Sequence, residues 1–367
     1  MGKKLKLISC VAVSFVLISL AFKCICTSLV SAGVGRSNAA LAAAALAMPD
    51  GGYRMVTPHN TDATEIQNNT YHTTTVSTEE TTTQSTTATI DETVFTEDPA
   101  LFADDVQLPV FETRYTEGDT GCDNFYIKNA TAYTGDFGEY LRRPLPFDFE
   151  NNKEKVQVLI VHTHSCESYI TYDNGYYHES FYPRSEDKEK NMIRVGRAVA
   201  EGLEAQGIGV VHAQEIHDSP AYNGAYYRSY DTIMKYIEEY PDIKVVLDLH
   251  RDSISYGSGQ GKAKPTFTYN GIKAAQIMIM AGYDPDGYYD FPRWEENLTF
   301  ALKLQKTCED MYPGMTRPLY FGNFVYNMNV NTGSLLIEVG TDVNTLSEAV
   351  HTGKLLSNVL ARVLQTG

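Results

Sequence analysis

Val156-Gln157-Val158-Leu159-Ile160-Val161-His162-Thr163-His164-Ser165-Cys166-Glu167-Ser168-Tyr169 is the stretch on which the reading of the fold turns. Val156 to Val161 is an almost wholly apolar run, as in a strand buried on both faces. It leads straight into histidine, thiol and carboxylate side chains. Working outward, Asn191 to Leu203 carries Met192, Val195, Val199 and Leu203 at helical spacing, and Ile208 to Val211 reads as a second strand. Tyr222 to Tyr240 predicts a helix ended by Pro241, and Val245 to Leu249 a third strand. Ala274 to Met280 follows a Gly-rich loop at 257–262 and predicts a fourth strand. Glu295–Met311 and Thr345–Leu364 read as helices flanking the strand Leu335–Val339. Strand and helix alternate without an internal repeat, which predicts a three-layer α/β domain over 151–367.

In open sheets of this kind ligands gather at the carboxyl ends of the strands. The first strand ends in His162, His164 and Glu167, the third in Asp248, His250, Arg251 and Asp252, and the late strand holds Glu338 between Ile337 and Val339. Burying such groups without partners is costly. A zinc ion answers that cost, because imidazoles and a carboxylate bind it while a fourth position stays open. His164 and His250 are the first choices as ligands, and His162 rivals His164. Glu167 is the carboxylate ligand of choice, with Asp187 and Glu189, entering the first helix, as rivals. Glu338 interrupts an apolar strand and suits the proton-shuttling carboxylate, or else a buried partner of Arg251. Cys166 invites a Cys–His nucleophile reading, but it is poorly placed to share a proton with His164. His217-Asp218, Tyr222-Asn223, Tyr226 and Arg228 either line a groove for a sugar-peptide polymer or cap and pack a helix. Tyr283 to Phe291 reads equally as loop padding or substrate platform.

The flanks differ in character. Lys3, Lys4 and Lys6 precede an uncharged stretch from Leu7 to Phe22. Residues 1–35 therefore predict a basic cytoplasmic tip and a single-pass membrane helix with the rest of the chain extracytoplasmic. A cleaved signal peptide, with Ser31-Ala32-Gly33 offering small residues, and a buried core helix are the alternatives. Between Thr57 and Thr96 there are 16 Thr, and no Lys or Arg lies between Arg54 and Arg114. Residues 36–108 thus read as a solvated, disordered tether, and 109–150 as a lead-in packing on the catalytic domain. Asp and Glu total 46 against 30 Lys and Arg, a net charge of −16. That balance argues against a nucleic-acid partner. Six cysteines, three of them before residue 30, imply no disulfide framework.

With these residues in view, the chain resembles the stage II sporulation protein P family, cell-wall hydrolases related to the zinc N-acetylmuramoyl-L-alanine amidases. The matching pieces are Val158–His164 through Glu167-Ser168-Tyr169, Asn191–Gly196, His217-Asp218 with Tyr222-Asn223 and Tyr226, Asp248–Asp252, and Leu336–Gly340 followed by Asn344-Thr345. The resemblance implies a twisted, mostly parallel central sheet of about six strands. It implies hydrolysis of the amide between N-acetylmuramic acid and L-alanine in peptidoglycan, with an endopeptidase activity on cross-links; a catalytically silent wall-binding scaffold and a zinc carboxypeptidase acting on the stem peptide are the alternatives. It also implies a role in engulfment during endospore formation, at the mother-cell membrane, with sporulation stage II proteins D and M as partners. Carried over, His164 and His250 hold zinc, Glu167 fits the third ligand and Glu338 is the catalytic carboxylate. Arg251 is placed beside the reaction or orienting a ligand, as is His162 or Asp252. Cys166 stands where a small hydroxyl residue is expected.

Overall fold

The computed structural model describes residues 104–366, and the elements below are numbered in chain order within that span. One sheet has eight strands, in the order β2 (Thr120–Cys122), β3 (Phe125–Asn129), β11 (Leu319–Gly322), β10 (Ile277–Gly282), β12 (Gly333–Thr341), β7 (Val245–Asp252), β4 (Val156–Val161) and β6 (Gly209–His212). A second sheet has four, in the order β5 (Tyr176–His178), β1 (Gln107–Thr113), β8 (Lys262–Tyr269) and β9 (Ile272–Ala275). The helices are α1 (Phe137–Arg142), α2 (Met192–Ala205), α3 (Ala225–Glu239), α4 (Trp294–Met311) and α5 (Leu346–Thr366).

The expectation of a mostly parallel, six-stranded sheet is corrected to a mixed one. β4 pairs in parallel with β6 and β7, and β7 with β12, but β10 runs antiparallel to β12, and β2 antiparallel to β3. The reason lies in how the chain enters β10. A crossover is needed to keep consecutive neighbours parallel, whereas β10 follows the β8–β9 hairpin without a helix between. The apolar run expected as one strand at 274–280 is split at Gln276 between the two sheets. Gln276 is fully buried, accepts from the Tyr115 backbone N–H, and donates to the carbonyls of Tyr115, Gly314 and Thr316. A buried amide with its partners so satisfied fixes the break. Segment 109–150 supplies β2, β3, α1 and most of β1, which begins at Gln107 within the expected tether, and so contributes strands to both sheets.

β4 is buried on both faces because alternate residues meet different helices. Leu159 and Val161 pack with Val246 of β7 against Ile233 of α3. The intervening residues face α2, which approaches so closely at Gly196 that an added Cβ would lie 2.4 Å from His162 Nε2. Asn191 starts α2 by accepting from the Ile193 N–H, and Met192, Val195, Val199 and Leu203 are buried along its inner stripe. Full burial of each such side chain contributes roughly 1.5–3 kcal/mol.

The expected single-pass membrane localisation is also corrected. Among the described residues no helix is long and apolar enough to cross a membrane. The segment 1–35 on which that expectation rested lies outside the described residues, as does most of the tether.

Candidate active site

β4, β7 and β12 are parallel neighbours, so their carboxyl ends share one edge of the sheet. In register, Val161 lies beside Asp248 and His250 beside Glu338. Asp248, His250 and Glu338 therefore present to one face, the face that α3 covers, and the first turn of α3 closes over them. The Tyr226 ring stacks 6.4 Å from the His250 ring at 13°.

The two histidines after β4 part company here. On a continuing strand they would share a face, but the strand stops at Val161 and the chain turns, the Glu167 N–H donating to the His164 carbonyl at 3.1 Å. His162 stays on the α2 side, its Nδ1 3.0 Å from the Leu249 carbonyl and its Nε2 2.9 Å from His212 Nε2. Burial pushes its pKa down to about 4. With both nitrogens engaged, His162 is a framework residue. The turn carries His164 to the other side, where its ring centroid lies 5.2 Å from that of His250 and 4.3 Å from that of Tyr222. His164 Nδ1 is buried and makes no hydrogen bond. Burial first, then the charge on His250, hold its pKa well below the ordinary range.

Glu167 reaches the same spot, with Oε2 3.7 Å from His250 Nδ1 and accepting the Arg251 N–H at 3.0 Å. Burial raises its pKa, against the pull of Arg251 and His250. The other ring nitrogen of His250 faces Asp248, with Nε2 2.9 Å from Oδ1. Asp248 is itself held by the Thr163 N–H at 2.8 Å and hydroxyl at 2.6 Å. Despite burial, this carboxylate raises the pKa of His250 to about 10, helped by Glu167 and Glu338. Asp248 was legible as a motif member but not as the group that orients His250. The signal was there, since two residues apart on a strand share a face.

Glu338 is partly covered as a residue, but its Oε2 is buried without a hydrogen bond. Burial, then the charge on Asp252, push its pKa up to about 8, against the pull of His250. That places the carboxyl where it can hold or release a proton near neutrality. Asp252 is itself 2.7 Å from Arg317, a cation buried in the core.

The remaining sequence candidates lie elsewhere. The Arg251 guanidinium donates to the carbonyls of Ser168 and Pro183, so it fastens the 167–168 and 183 segments together and does not face Glu338. Glu189 pairs with Arg197 at 2.7 Å and, more loosely, with Arg194, and Asp187 accepts the Glu189 N–H at the exposed entrance to α2. Burial, then a hydrogen bond to Asp218, push the Cys166 thiol up to about 12, which opposes the thiolate that a nucleophile or metal ligand needs. His217 donates and accepts within the framework, its ring bridging the His162 carbonyl and the Thr232 hydroxyl. The loop residues Tyr326 and Asn327, which sequence patterns did not single out, flank the site. The Asn327 amide donates to the Tyr226 carbonyl at 3.0 Å and the Ser229 hydroxyl at 3.1 Å.

Two imidazoles, a carboxylate beside one of them and a further carboxylate are the donor set zinc chemistry asks for. The unpaired Nδ1 of His164 and Oε2 of Glu338 fit a group that would complete them. As the side chains stand, no three of them among the described residues close to coordinating distance.

The site is thus a cluster of histidines and carboxylates converging on the carboxyl edge of an α/β sheet. The chain belongs to the stage II sporulation protein P (SpoIIP) family, whose model matches residues 46–361. No curated protein matches it closely enough to count as a relative. Among solved structures it is similar to the N-acetylmuramoyl-L-alanine amidase AmiC2 of Nostoc punctiforme, at 13% identity over 57% of this chain and 95% of that one, TM-score 0.34. It is similar too to the N-acetylmuramoyl-L-alanine amidase of Clostridium difficile 630, at 16% identity over 58% and 96%, TM-score 0.34. A third is the CwlD amidase of Clostridioides difficile in complex with the GerS lipoprotein, at 13% identity over 57% and 100%, TM-score 0.32. At such scores these likenesses carry no argument about the site.

Proposed function

We propose that this chain is a zinc-dependent peptidoglycan hydrolase that cleaves the N-acetylmuramoyl-L-alanine amide, with peptide cross-links as further substrates, during engulfment in endospore formation. The observation that carries the reading is the meeting of His164, Glu167, His250 and Glu338 at the ends of β4, β7 and β12. Family membership supports it.

His164, Glu167 and His250 are the residues that would hold the metal. The chemistry a bound zinc supplies is Lewis acidity toward water and toward the amide carbonyl. Glu338 does the proton work, accepting a proton at its carboxylate from the attacking water and returning it to the leaving amine. Asp248 keeps His250 in one orientation, and Thr163 keeps Asp248 in place. Arg251 holds Glu167 through its backbone N–H. Stage II sporulation proteins D and M are the partners this reading takes from the family resemblance.

The test is mass spectrometry of products released from purified sacculi by the full chain, with and without a chelator. Free stem peptides and peptide-free glycan, lost on chelation and in Glu338→Gln, are the expected result. Stems still attached to muramic acid, from a chain shown to bind sacculi, would overturn the amidase reading.

A further inference from the structure

The two histidines that face each other at the sheet edge are held by different means. His250 is fastened by a hydrogen bond, its Nε2 2.9 Å from Asp248 Oδ1, and Asp248 is held in turn by Thr163. A carboxylate of that kind is the usual support of a histidine that binds metal. His164 has none. Its Nδ1 is buried without a hydrogen bond, and no group among the described residues is bonded to either nitrogen of its ring. An imidazole without such an anchor turns about its side-chain bonds unless packing stops it.

What stands against His164 is a set of rings. The Tyr222 centroid lies 4.3 Å from that of His164 at 47°, the Tyr226 centroid 5.5 Å away at 67°, and that of His250 5.2 Å away at 54°. Tyr226 is fixed by the first turn of α3 and by stacking on Tyr326 at 5.3 Å. Tyr222 precedes the helix and is 49% exposed, so it depends on something else. The Arg184 guanidinium covers its far side, 5.0 Å from the ring centroid. A cation so placed is drawn to the negative face of the ring.

Arg184 in turn pairs with the buried Asp218 at 2.5 Å. Asp218 also accepts the Cys166 N–H at 3.0 Å, and Cys166 follows His164 by two residues on the same turn. The contacts therefore close a circuit, from His164 through Tyr222, Arg184 and Asp218 back to the backbone that carries His164. The imidazole cannot swing toward Tyr222 without parting that ring from Arg184, or Asp218 from the turn. Three separate segments, at 164–166, 184 and 218–222, meet in this circuit, and the proton chemistry of Glu338 uses none of it.

We infer that Tyr222, clamped from behind by Arg184, is the positioning residue of His164, doing through ring contact what Asp248 does for His250 through a hydrogen bond. The inference rests on the zinc reading of the site and concerns how this chain's own residues prepare one ligand for the metal. It also gives Asp218 and Tyr222 a role that, as sequence motifs, they did not have.

The test compares the full chain as wild type, Tyr222→Phe, Tyr222→Leu and Arg184→Lys. Zinc affinity is measured by competition with a chromophoric chelator. Tyr222→Phe keeps the ring and should bind zinc like wild type, whereas Tyr222→Leu should bind it about 10–100-fold more weakly. Arg184→Lys keeps a charge opposite Asp218 but loses the planar face, and should weaken zinc by a smaller factor. A second readout needs no metal: the NMR signal of the His164 ring in the zinc-free chain carrying isotope-labelled histidine, identified by its absence in His164→Gln. It should be sharp and ring-shifted in wild type and Tyr222→Phe, and broadened in Tyr222→Leu. Tyr222 is half exposed, so its leucine variant should melt like wild type, and Arg184→Lys decides the matter if it does not fold. Zinc affinity unchanged in folded Tyr222→Leu or Arg184→Lys would overturn the inference. So would a Tyr222→Phe chain as weak as Tyr222→Leu, since the hydroxyl and not the ring would then be at work. If wild type takes up no zinc, the metal reading fails by itself and the ring signal decides: broadening in Tyr222→Leu upholds the positioning role, and an unchanged signal refutes it.

Discussion

Replacing His212 with Gln should flatten the acid side of the stability profile. His212 ends β6, its Nε2 2.9 Å from His162 Nε2, and burial, followed by repulsion from His162, Arg197 and Lys188, lowers its pKa from 6.5 to about 2. The sign follows from linkage. A histidine whose folded pKa is depressed contributes stability above its unfolded pKa, and that stability is lost as pH falls below 6.5 because only the unfolded chain takes up the proton. Between pH 7 and pH 5 the loss integrates to about 2 kcal/mol for this one group, a factor of roughly 25 in the folding equilibrium. The figure is insensitive to the depth of the shift, since any folded pKa below about 4 leaves the ring unprotonated across that window. Urea unfolding of wild type and His212→Gln at both pH values checks it. Glu338 and the groups distant from the pair cancel between the two proteins, so the difference between the two losses reports the His162–His212 pair. Wild type should lose about 2 kcal/mol more than the variant. Equal losses would show that the ring titrates freely in the folded state and that the pair is not a buried neutral one.

Other outcomes follow from the same geometry. Glu338→Gln should keep the fold and lower sacculus cleavage by roughly 10²–10⁴, the usual yield of a positioned proton carrier, scored by released stem peptide. Asp248→Asn removes the carboxylate that orients His250 and should weaken zinc affinity by about 10–100-fold in a chelator competition. Asp218 is buried, paired with Arg184 and accepting the Cys166 N–H. Arg184→Met, which strands that carboxylate, should cost about 3–5 kcal/mol in denaturant unfolding. Gly196→Ala would place a Cβ against both His162 and His212. Overpacking there should cost about 1–3 kcal/mol, visible as a lower Tm, whereas an unchanged Tm would mean that α2 can back away from the sheet.

The sequence by itself determined the strands and the edge on which to look for chemistry. Val156–Val161, Val245–Leu249 and Leu335–Val339 are apolar runs too long and too β-branched to be loops, and each is a strand. Their polar termini then fall at one edge, because neighbouring parallel strands end together. The helix over Asn191–Leu203 was equally legible, because its apolar stripe is local.

Tertiary structure decided what depends on contacts distant in sequence. It chose His164 over His162 as the partner of His250, because the chain turns after Val161 and the two rings end on opposite faces of the sheet. Periodicity assumes that the strand goes on. It brought Glu167 to His250 and gave Glu189 to Arg197, a choice made by the 167–185 loop folding back through the carbonyls that Arg251 holds. It broke one apolar run at Gln276 into strands of two sheets, since a buried amide is stable only where distant backbone groups converge on it. It also set Tyr326 against Tyr226, residues a hundred positions apart. Local propensity writes strands and helices into a sequence, but the facing of one side chain toward another is fixed only when the whole core closes around both.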